Sequence, residues 1–337
     1  MPESAVTTAH RTFARSKELQ IEANDLLPGG TNSAAREAIA RGTYERIPIS
    51  MPSFFDKAQG SHIYDADKNE FIDYHLAFGA IILGHSNPVV NTAVRAQLEK
   101  GTIYGTNTEI ELRLCEKLRK NIPSAEQTIL TSTGTEATSI ARRLARSYNC
   151  KKKILKFEGH YHGWMDWNMV GSVNSVIGPF ARKIRQKVVT SEGISESVAD
   201  DIIVIPWNDP EVLEETLRRE GNQISAVFTE GYQANLGVIP PEKGYLELMR
   251  RLTKEYGILL IFDEVITGFR LAIGGAQEFL KIQPDMTTIA KAVANGLILA
   301  GVLASKEIME TAASERVYFA GTYNGNPLSV AAALATV

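Results

Sequence analysis

Apolar and polar positions alternate in blocks along most of this chain, and the blocks predict helices and strands in turn. From about residue 90, stretches with a 3.6-residue period are followed by short, continuous apolar runs. The clearest amphipathic helix runs from Ala137 to Tyr148. The predicted strands are Ile129–Thr131, Lys153–Phe157, Ile202–Ile205, Ala226–Thr229, Ile258–Phe262 and Met286–Ala290. Such an alternation predicts an α/β fold with a mainly parallel central sheet that is covered by helices on both faces.

The first 75 residues follow a different pattern. A helical stretch from about Thr8 to Leu27 ends at a Pro-Gly-Gly sequence, which breaks helices, and residues 61–74 predict a β-hairpin. We therefore expect residues 1–75 to contribute to a small α+β domain and residues 76–337 to form a large domain. The chain ends in an apolar helix, PLSVAAALATV, without a cap or a polar tail. This ending predicts that the C-terminal part of the small domain is missing.

The interval Gly163–Asp200 lacks a clear period. It carries four glycines among scattered serines and valines. A connection of this length within a compact domain is usually a functional lid or a disordered segment. We predict a lid with few buried contacts, mobile in the free protein and ordered when a substrate is bound.

Composition narrows the class of protein without identifying it. The chain has 337 residues, is 44% hydrophobic and carries a formal charge of −3, from 36 basic and 39 acidic residues. This charge provides no basic surface for nucleic acid or an anionic membrane. The N-terminus has no signal-peptide core, and no apolar run approaches the ~18–20 residues of a membrane span. The two cysteines lie outside any CxxC motif. We expect a cytoplasmic protein.

Charged side chains directly follow two of the predicted strands. Asp263 and Glu264 come after Ile258–Phe262, and Lys291 comes after the next strand. The carboxyl ends of parallel strands meet at the sheet edge where ligands bind. A carboxylate and an amine at that edge suit pyridoxal phosphate, which forms a Schiff base with a lysine and places its ring nitrogen beside an acid. Taken singly, Asp263 capping a turn and Lys291 lying in solvent stay open as the simpler alternative.

A hydroxyl-rich segment with one glycine, TSTGTEA at residues 131–137, lies between a predicted strand and the helix that begins near Ala137. Glycine lets the backbone approach an anion, hydroxyl groups donate hydrogen bonds, and a helix N-terminus directs free N–H groups at it. The segment predicts a phosphate site, although it is neither a GxGxxG nor a Walker motif. A plain N-cap, with Glu136 as a first-turn acid, is the alternative.

The next strand is followed by FEGHYHG at residues 157–163. An aromatic side chain at a strand exit can cover a planar cofactor ring, and Tyr161 or a neighbouring histidine is placed to do so. His160 and His162 suggest a metal site. The sequence offers them no third ligand at a suitable spacing, so we predict no metal.

Five segments, in order and spacing, resemble the class III pyridoxal-phosphate-dependent aminotransferases: TSTGTEATSIARRLARSY, KFEGHYHGW, LLIFDEVITGFR, PDMTTIAK and AGTYNGNP. Within that family they are most similar to the glutamate-1-semialdehyde aminomutase group, which also has an element like GGTNS at residues 29–33. The resemblance implies a fold-type-I transferase, related to aspartate aminotransferase in fold, that works as a homodimer.

Position by position, the resemblance implies a role for each matching residue. Lys291 would form the Schiff base, and Asp263 would pair with the protonated ring nitrogen. Val265 and Tyr161 would cover the two faces of the ring. The remaining residues would contact the phosphate (Thr133, Gly134, Thr135, and Thr322 from the neighbouring subunit), the ring hydroxyl (Asn235) and the substrate carboxylate (Ser33 and Arg36).

The resemblance implies amino-group transfer, as in the isomerisation of glutamate-1-semialdehyde to 5-aminolevulinate. The chain departs from the group where AVANGLI follows Lys291 in place of a Gly-Gly-Gly-Leu-Pro stretch, and where Glu230-Gly231 replaces Glu-Pro. An ordinary transaminase, acting on an amino acid or a β-amino acid with a keto acid as acceptor, is the alternative. A non-catalytic protein with the same fold is disfavoured because Asp263 and Lys291 are both present.

Overall fold

The structure is a computed structural model that describes residues 11–36, 54–171, 182–184, 187–189 and 191–337. The chain divides into two compact units. Met1–Leu76 and Leu83–Asn87 form the first, and Ala77–Ile82 and Pro88–Val337 form the second.

In the first unit, helix α1 (Ala14–Leu26) is followed by the 3-10 turn Pro28–Gly30 and an antiparallel sheet of β1 (Phe55–Gln59), β2 (His62–Asp65) and β3 (Glu70–Ile72). The predicted hairpin is confirmed as β2–β3. Its turn is fixed by the carboxylate of Asp65, because Oδ1 accepts hydrogen bonds from the backbone N–H groups of Asp67 (3.0 Å) and Asn69 (2.7 Å).

A seven-stranded sheet forms the centre of the second unit. Its strands are β4 (Gln127–Thr131), β5 (Lys153–Phe157), β8 (Ile202–Ile205), β9 (Ile224–Thr229), β10 (Leu259–Asp263), β11 (Met286–Ile289) and β12 (Ala300–Ala304). The strands β6 (Arg182–Ile184) and β7 (Lys187–Val189) form a separate antiparallel pair. The order is β4-β12-β11-β10-β9-β5-β8, and only β12 runs antiparallel to its neighbours. The predicted α/β class with a mainly parallel sheet is confirmed. Sequence analysis missed β12, whose AGVLA sequence is rich in residues of low strand propensity.

The helices of this unit are α2 (Pro88–Leu98), α3 (Glu109–Asn121), α4 (Gly134–Asn149), α5 (Glu196–Asp200), α6 (Pro210–Glu220), α7 (Tyr245–Glu255), α8 (Gly275–Leu280), α9 (Lys306–Ala313) and α10 (Pro327–Thr336). Shorter 3-10 turns span Ala234–Leu236 and Lys291–Ala294, and Leu76–Gly79 forms a turn with positive φ angles. None of the described helices combines the length and the apolar character that a membrane span needs.

Alternate residues of the central strands enter the cores on opposite faces of the sheet. In β10, Ile261 packs with α4 residues such as Leu144, whereas Leu260 and Phe262 pack with Met249 of α7. This is the two-residue period of a strand that is buried on both faces. The resulting rigid sheet fixes the positions at which β5, β9, β10 and β11 end.

The predicted lid differs from the structure at both of its ends. Trp167 and Val170 are buried in the core on the α4 face, as are Ile194 and Ala199. The predicted scarcity of buried contacts is therefore wrong for residues 167–171, all of which are buried, whereas most of residues 191–200 other than Ile194 and Ala199 are exposed. Trp167, Val170 and Ile194 enter the core from segments outside the helices, and Ala199 from the five-residue helix α5, so none of them shows a period that sequence analysis could detect. Residues 172–181, 185–186 and 190 of the predicted lid lie outside the described residues.

Candidate active site

A cavity of about 170 Å³ lies at the carboxyl edge of the parallel strands. Six of the predicted site residues line it together: Lys291, Asp263, Tyr161, Gly134, Thr135 and Val265. His162 and Glu230 line it as well. A larger groove, about 870 Å³, is lined by residues of α3, α9 and the edge strand β4, and none of the predicted site residues lines that groove.

Asp263 is the last residue of β10, and only 4% of it is exposed. Its Oδ1 accepts hydrogen bonds from the backbone N–H of Val265 (3.0 Å) and the hydroxyl of Thr288 (3.1 Å). Its Oδ2 lies 2.7 Å from Nδ1 of His162. Each carboxylate oxygen therefore has a hydrogen-bond partner, and these partners fix the orientation of the Asp263 carboxylate.

His162 is fully buried, and burial lowers the pKa of its imidazole, against the hydrogen bond and charge of Asp263, which act to raise it. Because the carboxylate is an acceptor, the proton of the imidazole belongs on Nδ1, facing Asp263. The main chain of His162 is held equally firmly, since its carbonyl oxygen lies 2.7 Å from the Thr138 hydroxyl and accepts a 2.6 Å hydrogen bond from Asn168 Nδ2.

Lys291 begins the 3-10 turn Lys291–Ala294, immediately after β11, with φ at 50°. A left-handed backbone at a lysine costs about 1–3 kcal/mol, a strain that is typical of functional positions. Burial lowers the pKa of the Lys291 ammonium, and the opposing charges of Asp263 and Glu230 only partly offset it. The site therefore favours the neutral amine more than water does.

The segment between β4 and α4 forms an N-cap. The Thr133 hydroxyl accepts the N–H of Glu136 (3.2 Å), and Glu136 Oε2 accepts the N–H groups of Ser132 (3.0 Å) and Thr133 (2.8 Å). This is the capping arrangement that the sequence left open as the alternative. Gly134 and Thr135, one and two residues further on, face the cavity.

Two glycines allow close approaches at the cavity wall. A Cβ atom on Gly134 would lie 3.1 Å from Cγ2 and 3.3 Å from Cγ1 of Val265. Gly163 has φ at 103°, and a Cβ atom there would lie 2.5 Å from the hydroxyl oxygen and 2.9 Å from the Cα of Thr135. Side chains at these positions would push apart the helix start, the Tyr161–Gly163 turn and the chain after Asp263.

Glu230 is a site residue that the sequence analysis noted only as part of a departure from the family pattern. It follows β9 and is 4% exposed, and burial raises the pKa of its carboxyl group to about 8. Its two oxygens accept the N–H groups of Tyr161 and Ala234, both at 2.8 Å. Glu230 thus links the turn that carries Tyr161 to the 3-10 turn that carries Asn235. An acid directly after a buried strand was the available signal.

The departure at Gly231 has a packing reason. A Cβ atom at this position would lie 2.5 Å from the Cβ of Ala276 in α8. Glu264, next to Asp263, also contacts helix α8. Its carboxylate accepts hydrogen bonds from the backbone N–H groups of Ala276 (2.6 Å) and Gln277 (3.0 Å). Glu264 therefore anchors the turn after β10, whereas Asp263 faces the cavity.

Five of the predicted site residues do not line the cavity in this structure. Thr133 is exposed, and its hydroxyl takes part in the N-cap. Asn235 and Thr322 are exposed and are not among the lining residues. Ser33 and Arg36 belong to the first compact unit, where the Arg36 N–H donates to the carbonyl of Ser33 (2.9 Å). Their roles remain predictions.

The residues present suit pyridoxal phosphate. A largely buried lysine of lowered pKa and a buried carboxylate line one cavity, with Tyr161 beside them. A Cβ atom on Gly134 would lie 3.1–3.3 Å from both methyl groups of Val265, so glycine fits best at this helix start, whose backbone N–H groups suit a phosphate.

Comparison with known proteins gives the same assignment. Residues 44–337 match the family model described as aminotransferase class-III. Glutamate-1-semialdehyde 2,1-aminomutases from Hyperthermus butylicus and Desulfitobacterium hafniense are 43% and 44% identical to this chain, over 96% of its length and 72% of theirs. The crystal structure of an omega-transaminase from Sphaerobacter thermophilus superimposes with a TM-score of 0.83 at 32% identity, covering 95% of this chain and 72% of that one. The chain therefore belongs to the class III aminotransferases and is a pyridoxal-phosphate-dependent enzyme.

Proposed function

We propose that this enzyme is a glutamate-1-semialdehyde 2,1-aminomutase, which converts glutamate-1-semialdehyde to 5-aminolevulinate. The observation that carries the proposal is the identity of 43–44%, across nearly the whole chain, with relatives of that name. The reaction moves an amino group between adjacent carbons of one molecule, so it needs a proton-moving base next to an electron sink.

Pyridoxal phosphate, when bound, supplies the electron sink through its protonated ring nitrogen. Asp263 would face that nitrogen, held in direction by His162 and Thr288. Lys291 would hold the cofactor covalently at rest and, once released, would move the proton between the reacting carbons at its Nζ atom. A lysine can act as such a base near neutral pH because burial lowers the pKa of its amine.

The other cavity residues would position the cofactor. Thr133, Gly134 and Thr135 at the start of α4 would hold the phosphate, for which the free N–H groups and dipole of the helix are suited. Tyr161 and Val265 would enclose the ring, and Asn235 would approach its hydroxyl group.

The remaining roles concern the substrate and the assembly. Ser33 and Arg36 would bind the substrate carboxylate, for which the planar guanidinium of arginine is well matched. Thr322 would reach the phosphate that is bound by a second copy of the chain, so the active enzyme would be a homodimer. Its location would be the cytoplasm.

A transaminase that uses a separate keto acid is the second candidate. It is favoured by the likeness to the omega-transaminase structure, at a TM-score of 0.83. The two candidates differ in what they require, because an aminomutase needs no external amino acceptor.

The test uses purified holoenzyme and glutamate-1-semialdehyde, with no amino acid or keto acid added. We expect 5-aminolevulinate to form over many turnovers. If formation stops after one equivalent, or if glutamate-1-semialdehyde reacts only when a keto acid such as pyruvate is added and passes its amino group to it as alanine, the transaminase is favoured instead.

A further inference from the structure

Lys156 lies in the middle of β5 and is completely buried. Ile154, two residues earlier and therefore on the same face of the sheet, is also completely buried, so the strand places the side chain of Lys156 against the core on that face. Burying an ammonium group is destabilising unless hydrogen bonds or opposite charges compensate for the lost hydration. Burial here lowers the pKa of Lys156 to about 7. None of the roles assigned above uses this side chain.

A chain of short contacts connects Lys156 to the site carboxylate. Its Nζ atom donates a 2.7 Å hydrogen bond to the carbonyl of Asn168, and Asn168 Nδ2 donates a 2.6 Å hydrogen bond to the carbonyl of His162. His162 Nδ1 lies 2.7 Å from Asp263 Oδ2. Asn168, His162 and Asp263 are each at least 96% buried, so water does not compete for these contacts.

Lys156 also provides charge. The carboxylates of Asp263 and Glu230 both act to stabilise its ammonium form, whereas the same positive charge acts against protonation of His160 and His162. Burial, the larger effect, and the ammonium form of Lys156 therefore both favour a neutral His162 imidazole, which donates a hydrogen bond to Asp263.

We propose that Lys156 is a positioning residue of the Asp263 site: it fixes the 162–168 turn that holds His162 against Asp263, and it places a buried positive charge near Asp263 and Glu230. It touches neither substrate nor cofactor and acts through Asn168 and His162. The catalytic consequence rests on the proposed function, whereas the effect on the bound cofactor requires only that pyridoxal phosphate is attached.

The test compares holoenzymes of Lys156→Met and Lys153→Met. Methionine keeps the length of the side chain but removes its charge and hydrogen-bond donors. Lys153 lies on the same strand and pairs with Glu220 at 2.9 Å, away from the cavity, so its substitution controls for a lysine-to-methionine change in β5. The readouts are the pH midpoint of the visible absorbance of the lysine-bound cofactor, and kcat and KM.

For Lys156→Met we expect the midpoint to rise by about half a pH unit or more, since loss of a nearby cation favours protonation. We also expect kcat to fall about tenfold with KM within about twofold, since the substrate is not contacted. Lys153→Met should match the wild type. An unchanged midpoint overturns the proposal, even if kcat falls, because a merely structural lysine would give that result.

A second variant keeps the test decisive if Lys156→Met does not fold. Asn168→Ala retains the ammonium group but cuts the side-chain link to the His162 carbonyl, so we expect the same fall in kcat with the midpoint near its wild-type value; a wild-type kcat, or a midpoint raised by about half a pH unit although the cation remains, would overturn the proposal. If the wild-type enzyme does not isomerise glutamate-1-semialdehyde, the proposed function fails, and the absorbance midpoints still decide the role of Lys156.

Discussion

His162 Nδ1 lies 2.7 Å from Asp263 Oδ2, with both side chains out of contact with water. The pair joins the turn after β5 to the end of β10, two strands that are separated by β9 in the sheet. Because the second oxygen of Asp263 is occupied by Val265 N and Thr288 Oγ1, the carboxylate cannot rotate without breaking at least one hydrogen bond. The direction of the charge that faces the cofactor is thus set before the cofactor binds.

Replacing His162 by leucine should weaken cofactor binding. The change removes a charge-assisted hydrogen bond that contributes about 1.5–3 kcal/mol, which is an upper limit for its effect on binding, so the Kd for pyridoxal phosphate should rise by up to roughly a hundredfold. Spectroscopic titration of the apoprotein measures this Kd. His62→Leu, at a partly exposed position of β2, is the control and should bind as the wild type does. Wild-type affinity in His162→Leu would show that Asp263 does not need this partner.

Much of this site could be predicted because parallel strands bring their carboxyl ends to one edge. Asp263 and Lys291 directly follow strands that are visible as apolar runs, and Gly134 follows a third. Ligands of α/β sheets bind at the carboxyl ends of the strands, so these three residues can be placed at one site without any knowledge of their contacts. The family resemblance added roles to the residues, and the structure brings six of them to one cavity.

What sequence analysis missed depends on contacts between segments distant in the chain. The pattern around Lys156 gives no indication that its ammonium group is buried or that its partner is a carbonyl twelve residues away. Trp167 and Val170 belong to the core although their segment shows no period. Likewise, Glu136 was foreseen as an alternative cap, but only the coordinates show its carboxylate on the N–H groups of Ser132 and Thr133.

Gly134→Ala should reduce cofactor affinity through Val265. The added Cβ would lie 3.1–3.3 Å from both Val265 methyl groups, and overpacking of this kind costs about 1–3 kcal/mol. We expect the Kd for pyridoxal phosphate to rise about tenfold or more. In the double variant with Val265→Ala the clash is relieved, so the two substitutions should cost less together than the sum of their separate effects. Simple additivity in the same titrations would contradict a contact between the two positions.

Gly163→Ala should destabilise the protein more than Gly193→Ala does. Both glycines have positive φ angles, 103° and 84°, so alanine is strained at each. Only at Gly163 would the new Cβ also meet neighbouring atoms, at 2.5 Å and 2.9 Å in Thr135, whereas nothing lies within 4 Å of a Cβ at Gly193. We expect Gly193→Ala to lose about 1 kcal/mol in urea unfolding and Gly163→Ala at least about 2 kcal/mol. Equal losses would mean that the turn after Tyr161 is free to move away from α4.

The cofactor should be attached to Lys291 and not to Lys156, the other buried lysine near the site. Lys291 lines the cavity, whereas the Nζ atom of Lys156 is bound to the Asn168 carbonyl in the core. Borohydride reduction of the holoenzyme followed by peptide mapping should place the pyridoxyl group on the peptide that contains Lys291. In Lys291→Ala the reduced protein should carry no such group. A pyridoxyl group on the Lys156 peptide would refute the assignment.

The reactivity of Lys291 in the apoprotein should reveal its lowered pKa. Burial disfavours the ammonium form, so the amine of Lys291 should lose its proton at a lower pH than the side chain of free Nα-acetyl-lysine, whose pKa is about 10.4. It should therefore also react with a small electrophile such as acetic anhydride at a lower pH. Labelling at a series of pH values, quantified for the Lys291 peptide by mass spectrometry, gives the midpoint.

Asp263→Asn tests the sign of the electrostatic effect at Lys291. The Asp263 carboxylate acts to raise the pKa of Lys291, against the larger effect of burial. Removing that charge leaves burial less opposed, so the labelling midpoint should move still lower. Asp285→Asn is the control. The carboxylate of Asp285 lies at the opposite end of β10 and pairs with Arg250 at 2.8 Å, so its loss should leave the midpoint at the wild-type value. If Asp263→Asn raises the midpoint instead, the carboxylate does not stabilise the Lys291 ammonium, and the amine must be controlled by another group of the cavity.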